Sequence, residues 1–300
     1  MAIMTTNFGE LLYPGLKTLW GDSYKGYPEE YTQIYEVVTS DKKTEHTVEL
    51  GGFGYAAEKS EGSSVEYDTA YQGYTKNWTN VTYAIGFAVT SEMWEDDQYG
   101  KIRALPKAQA FSVRNTIELT AANMLNNAFV TTYTTGPDGL ELCSTVHILV
   151  RGGTEQNELS TAADLSMTSL EQAMIDIGDM TNSDGLLAGI KAQKLIVPPE
   201  LEWTARQLLE SDKDPETNHN AINPAKGIMP GGYTVNHWLT DPDAWFIKTD
   251  CPNGMVFYWR RRPEFSRDNE FNTENALYKT VYRHTQGWCD FRGIFGSPGA

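Results

Sequence analysis

The stretch from Asp41 to Phe129 constrains this chain most. It opens with a long run that reads as extended chain yet could not form a core alone: Glu49-Leu-Gly-Gly-Phe-Gly-Tyr55, Glu58-Lys-Ser-Glu-Gly-Ser-Ser64, then Tyr67, Tyr71 and Tyr74. A compact β segment over Val81–Thr90 follows, then an acidic turn and one amphipathic helix predicted from Ala104 to Val130. A two-stranded ribbon is marginal in water and needs a surface to lie on. A long ribbon leading straight into a long helix therefore reads as a subunit that completes its packing against neighbours.

The N-terminal segment, residues 1–36, points the same way. Gly and Pro interrupt each candidate element, which predicts an irregular arm. Yet Leu11, Leu12, Leu16, Leu19, Trp20, Tyr24 and Tyr27 are too many large apolar residues for a disordered tail. The arm must lie along a surface, of its own subunit or another. In the helix after the ribbon, Ala110, Val113, Ile117, Ala121, Met124 and Ala128 recur at three- and four-residue steps, with Arg114, Glu118 and Asn127 off that face.

Beyond Thr135 the pattern becomes shorter strands and helices. Thr168-Ser-Leu-Glu171 matches a capping box for a helix burying Leu170, Ala173, Met174 and Ile177. Lys194–Val197 reads as a buried strand, and Pro198-Pro199 opens a helix with Leu201, Ala205, Leu208 and Leu209 inward. Ser211–Gly232 is a long polar loop, a length that points to function or contact. Strands are predicted at Tyr233–Leu239, Ala244–Thr249, Met255–Arg262 and Leu277–Arg283, with a turn at Pro252-Asn253-Gly254 and a charged loop over Glu264–Asn275.

Composition narrows the function classes. The net charge is −16, from 24 Lys+Arg and 40 Asp+Glu. Affinity for nucleic acid grows from cations displacing counterions, so this balance argues against a dedicated nucleic-acid binder. Arg260-Arg261-Arg262 is the one short basic run, expected on a solvated or subunit-facing strand end. Three scattered cysteines with no C-x-x-C give neither a disulfide framework nor a metal knuckle. No signal peptide is visible and no apolar run could span a membrane.

Chemistry-bearing motifs are weak. Gly52-Phe-Gly54-Tyr-Ala-Ala57 matches the dinucleotide fingerprint formally, but no helix pattern follows to hold a pyrophosphate. None of the five histidines has a partner four residues on. Glu95-Asp96-Asp97 is expected to be a solvated first turn of a helix, where acids favour the dipole. No metal or cofactor is expected. Two function classes stay open beside a shell or assembly subunit: another structural or adhesion module, and a carbohydrate-active enzyme, since Trp and Tyr are abundant and carboxylate spacing is spatial.

The order of elements resembles one family. An apolar arm, an extended loop, a return strand, Ser91-Glu-Met-Trp-Glu-Asp-Asp97, one long helix, then Leu195-Ile-Val-Pro-Pro-Glu-Leu201 and Ala205-Arg-Gln-Leu-Leu209 are similar to tailed-phage major capsid proteins of the Hong Kong 97-type fold, and within them to Mu-type head subunits. The resemblance implies an α+β fold with an N-arm (1–36), extended loop (37–75), peripheral domain with a spine helix (76–135), axial domain (136–249), peripheral strands (250–286) and a return to the axial domain (287–300). It implies a non-enzymatic subunit of hexamers and pentamers in an icosahedral shell, assembled in the bacterial host cytoplasm. A separate scaffolding protein, or a segment already removed, is implied, as are a portal and packaged double-stranded DNA held by weak contacts. Expected subunit-interface residues are Leu11, Leu12, Leu16, Leu19 and Trp20 in the arm, Gly52, Phe53, Tyr55, Lys59 and Glu61 in the loop, and Asp214 and His219 in the polar axial loop. Some members weld the loop to a neighbour through a Lys–Asn bond. Lys59 lies near the presumed tip, but no acceptor pair is discernible and that chemistry is not carried over.

Overall fold

The computed structural model describes residues 8–90, 92–93, 96, 100–213, 222–270 and 275–300. The acidic turn at 91–97 lies largely outside these residues, and 214–221, with Asp214 and His219, wholly so.

Two four-stranded sheets share one long helix. The first sheet is built from β1 (Glu36–Thr39), β4 (Val81–Val89), β10 (Met255–Asn269) and β11 (Ala276–Trp288), in the order β1-β10-β11-β4. β1 runs parallel to β10, and the other pairs are antiparallel. The second sheet holds β7 (Ala192–Val197), β8 (Tyr233–Val235), β9 (Trp245–Thr249) and β12 (Ile294–Ser297), in the order β12-β9-β7-β8. β2 (Thr44–Gly51) and β3 (Tyr71–Thr79) form a separate antiparallel ribbon, and β5 (His147–Ile148) with β6 (Thr154–Glu155) a short hairpin.

The helix α3 (Ala104–Asn126) is the seam. Its Val113, Ile117, Ala121, Met124 and Leu125 join Phe257, Trp259 and Tyr282 of the first sheet to Ile196, Phe246 and Ile294 of the second in one buried cluster. The opposite face of the second sheet, with Leu195, Val197, Trp245 and Ile247, packs on α4 (Met167–Asp179) and α5 (Glu202–Glu210). Four-residue spacing puts Ala205 and Leu209 on one face of α5, beside Leu208, as the pattern predicts.

Several sequence expectations need correction. The N-terminal segment is not irregular: α1 spans Phe8–Gly26 and a short α2 spans Tyr31–Ile34. Leu16, Trp20 and Tyr24 recur every four residues, a true helical stripe that the interspersed glycines obscure. Pro14 sits within α1, and the carbonyl of Pro14 accepts the Thr18 hydroxyl at 2.8 Å. Capping of α4 begins one residue pair earlier than predicted: Ser166 accepts the Ser169 amide, and Ser169 returns to the Ser166 amide. The first half of the charged loop expected at 264–275 is instead strand, since β10 runs through Pro263 to Asn269. Register shifts between Trp259, Arg261 and Glu264 show how: the strand bulges where proline cannot donate. Arg260–Arg262 therefore sits within β10, just past the end of its pairing with β1.

Candidate assembly surfaces

The arm docks first on its own subunit. Leu16 and Trp20 are buried against Ile102, Ala110, Val89, Phe265 and Tyr278, with Leu19 and Tyr24 at the edge. Trp20 stacks on Tyr24 at 5.0 Å and on Phe265 at 6.0 Å. Leu11 and Leu12 occupy the first turns of α1. Of the expected interface residues, Leu16 and Trp20 are thus buried within their own subunit.

A polar elbow fixes where the arm leaves. Arg114 and Glu118, expected off the apolar face of α3, are buried beneath the arm. The Glu118 carboxylate accepts the amides of Glu30 at 3.2 Å and Tyr31 at 2.9 Å. Arg114 pairs with Glu29 at 2.7 Å, donates to the Tyr24 carbonyl, and lies over the Tyr24 ring. Glu30 in turn accepts the backbone amide and bonds the ring of His237. Burial raises the Glu118 carboxyl to about 7, outweighing the Tyr31 amide and Arg114. The apolar periodicity does not flag this second buried face, because the residues that form it are themselves charged.

The ribbon is anchored at its base and bare at its tip. At the base, Trp78 packs on Trp288 at 5.5 Å, and a side chain at Gly287 would collide with the Trp78 ring. Higher up, the Tyr71 ring lies between Gly51, where a Cβ would fall 2.1 Å from it, and the Arg151 guanidinium 4.3 Å from its centroid. Arg151 also pairs with the buried Asp184 carboxylate at 2.8 Å and donates to the Thr69 carbonyl. From residue 52 to 70 no strand or helix forms. Phe53 is 60 % exposed, Tyr55 74 % and Tyr67 93 %, and Gly52, Lys59 and Glu61 are exposed. The stretch matching the dinucleotide fingerprint lies here and opens no helix.

The described ends of the polar loop after α5 are tied together. Asn223 donates to the carbonyls of Leu208 and Ser211 and accepts the Ala225 amide, while Ala225 and Met229 are buried. Ile222 is 85 % exposed and Trp203, on the adjoining α5, 73 %.

A second buried polar cluster centres on Asn157. Asn157 donates to the carbonyls of Leu142, Phe291 and Ile294 and accepts from the Ser144 amide and His147 Nε2. His147 Nδ1 meets Asp138 at 2.5 Å. The adjoining pocket, lined by Asp138, Glu49, Ser183, Cys289 and Arg292, encloses about 20 Å³, the space of a single water. Among the described residues, no group of three or more His, Cys, Asp or Glu could hold a metal ion. No helix among them is long and apolar enough to cross a membrane.

A family model described as phage capsid protein matches residues 73–296. No curated protein matches the chain. Among solved structures, the procapsid of bacteriophage JBD30 is similar over 98 % of this chain and 76 % of that chain, at 15 % identity and TM-score 0.55. A virus-like particle from Pyrococcus furiosus aligns over 94 % and 97 %, at 11 % identity and TM-score 0.55. The capsid of an empty GTA particle aligns over 92 % of both chains, at 15 % identity and TM-score 0.53. At these identities the likeness speaks for the fold.

Proposed function

The chain belongs to the phage capsid protein family, and from that premise we propose how its copies, as major capsid subunits of the Hong Kong 97-type fold, close an icosahedral shell. The extended loop, residues 52–70, lies across a neighbouring subunit and buries there the side chains of Phe53, Tyr55 and Tyr67. The arm acts differently from a free clamp. Its second half belongs to its own subunit, and contacts with a neighbour fall to the exposed side of α1 and to the residues before it. The exposed Ile222 and Trp203 face other copies about the symmetry axes. We assign the chain a structural rather than catalytic role, in the virion, with scaffolding and portal proteins as separate partners.

One observation carries this reading: a long apolar-tipped segment that its own chain leaves uncovered. Solvent-exposed aromatic clusters of this kind mark interaction surfaces. With a net charge of −16, packaged DNA is held by confinement and weak, salt-sensitive contacts. The test replaces Phe53, Tyr55 and Tyr67 by serine together. The expected product is a folded subunit by circular dichroism that no longer sediments as shells. Shells at wild-type yield would refute the role given to the loop.

A further inference from the structure

A cleft of 440 Å³ opens where the second sheet meets the first, between β7, β9 and the α2–β1 segment. Its walls include Gln33 and Glu36 on one side and Lys194, Lys248 and Gly231 on the other. Lys194 and Lys248 are direct cross-strand partners, so both project from the same face of the sheet. Further along these strands that face carries Ile196 and Phe246, sealed beneath α3; at the lysines it opens into the cleft. Both lysines are half-buried. Like charges directly opposite on a sheet are destabilising, and partial burial strengthens the repulsion.

The chain answers this repulsion only in part. The Lys194 ammonium donates to the Gln33 side chain at 2.7 Å, a neutral acceptor. Two carboxylates line the same cleft. Asp250 is engaged by the Lys191 amide at 2.8 Å, and Glu36 stands on the opposite wall. Among the described residues, neither lysine has a carboxylate within ion-pairing distance. Burial, then Lys194, holds the Lys248 ammonium below the usual lysine range, with Glu36 offsetting only part of this.

We propose that this cleft is an oxyanion site, in which Lys194 and Lys248 together take one carboxylate or phosphate group, with Gln33 positioning the first lysine. The volume suits a phosphate or small dicarboxylate, or an acidic side chain offered by another protein. Paired ammoniums gain from such a group because it relieves their repulsion as well as attracting each.

The experiment uses the purified full chain at low ionic strength. Thermal unfolding is followed while inorganic phosphate, and separately succinate, is titrated against chloride at matched ionic strength. Lys248→Met and Lys194→Gln serve as variants. The expected result has two parts. In chloride, Lys248→Met melts above wild type, because a half-buried charge facing another is gone. Under titration, wild type shows a saturable rise in Tm that both variants require at least about tenfold more anion to reach. Saturation at lower phosphate than succinate assigns a phosphate-bearing ligand, and the reverse a carboxylate-bearing one. An equal, unsaturating rise in all three proteins is general salting and would overturn the proposal, as would no rise at all.

Discussion

Replacing Trp20 by alanine tests whether the arm belongs to its own subunit. Trp20 is 6 % exposed and fills the contact between α1, α3 and the first sheet. Truncating a buried tryptophan costs about 3–5 kcal/mol in transfer and cavity terms. Part of this is returned, because the Trp20 indole N–H is buried with no partner and its removal relieves about 1 kcal/mol of desolvation. The expected loss is about 2–4 kcal/mol. Leu16 and the edges of Leu19 and Tyr24 still hold α1, so the loss falls on the docking of the arm before it falls on the whole subunit. Hydrogen exchange on the unassembled subunit reads this directly. Amides of residues 16–26 should be protected in wild type and exchange about a hundredfold faster in Trp20→Ala, while β9 and β7 stay unchanged. If the wild-type arm exchanges freely, or the variant matches wild type, the packing of the arm on its own spine helix is wrong.

Three further outcomes follow from buried polar groups. Arg151→Ala strips the counter-ion from Asp184 and the cover from Tyr71, and should cost about 1–3 kcal/mol and hasten proteolysis within residues 50–72. Asn157→Ala removes the side chain that bonds three carbonyls, the Ser144 amide and His147 Nε2, and should cost about 3–5 kcal/mol in urea unfolding. Two titrating groups should oppose each other in the pH profile. His284 sits among Tyr83, Phe257, Trp259 and Tyr282, and burial, only partly offset by Gln286, lowers it from 6.5 to about 4. Its contribution is present above 6.5 and is lost as pH falls toward 4. Glu118, raised from 4.5 to about 7, favours folding below 4.5 and loses that contribution as pH rises toward 7. Each shift is worth at most about 3 kcal/mol. Relative to wild type, Glu118→Gln should gain stability as pH rises from 4.5 to 7, and His284→Phe should gain it as pH falls from 6.5 to 4. Parallel profiles for wild type and both variants would refute these assignments.

The sequence made periodic elements plain and concealed those whose partners are distant. The apolar stripe of α3 gave the helix to within a few residues, because three- and four-residue steps over that length have one physical meaning. The short helix after Pro198-Pro199 and the turn at Asn253, which adopts a positive φ, were legible for the same local reason. The arm was misread because glycine and proline outweighed a four-residue stripe. Pro263 ended a strand too early because a bulge is invisible without the partner strand. Arg114 and Glu118 lie off the apolar stripe, and their burial is invisible in it because it depends on residues 24–31, far away in sequence. Of the candidate interface residues, Phe53 and Tyr55 were legible as aromatic side chains in a stretch without period. The Arg151–Tyr71–Gly51 stack that holds the base of that stretch was not, since it joins three separated segments.

In the proposed assembly, a neighbour completes the extended loop of each shell subunit. Electron cryo-microscopy of the purified, assembled chain tests it most directly. The account predicts closed icosahedral particles in which residues 52–70 lie on an adjacent copy, with Phe53, Tyr55 and Tyr67 buried there, while α1 lies on the spine helix of its own subunit. Dispersed single subunits, or shells in which that loop touches only its own chain, would contradict it.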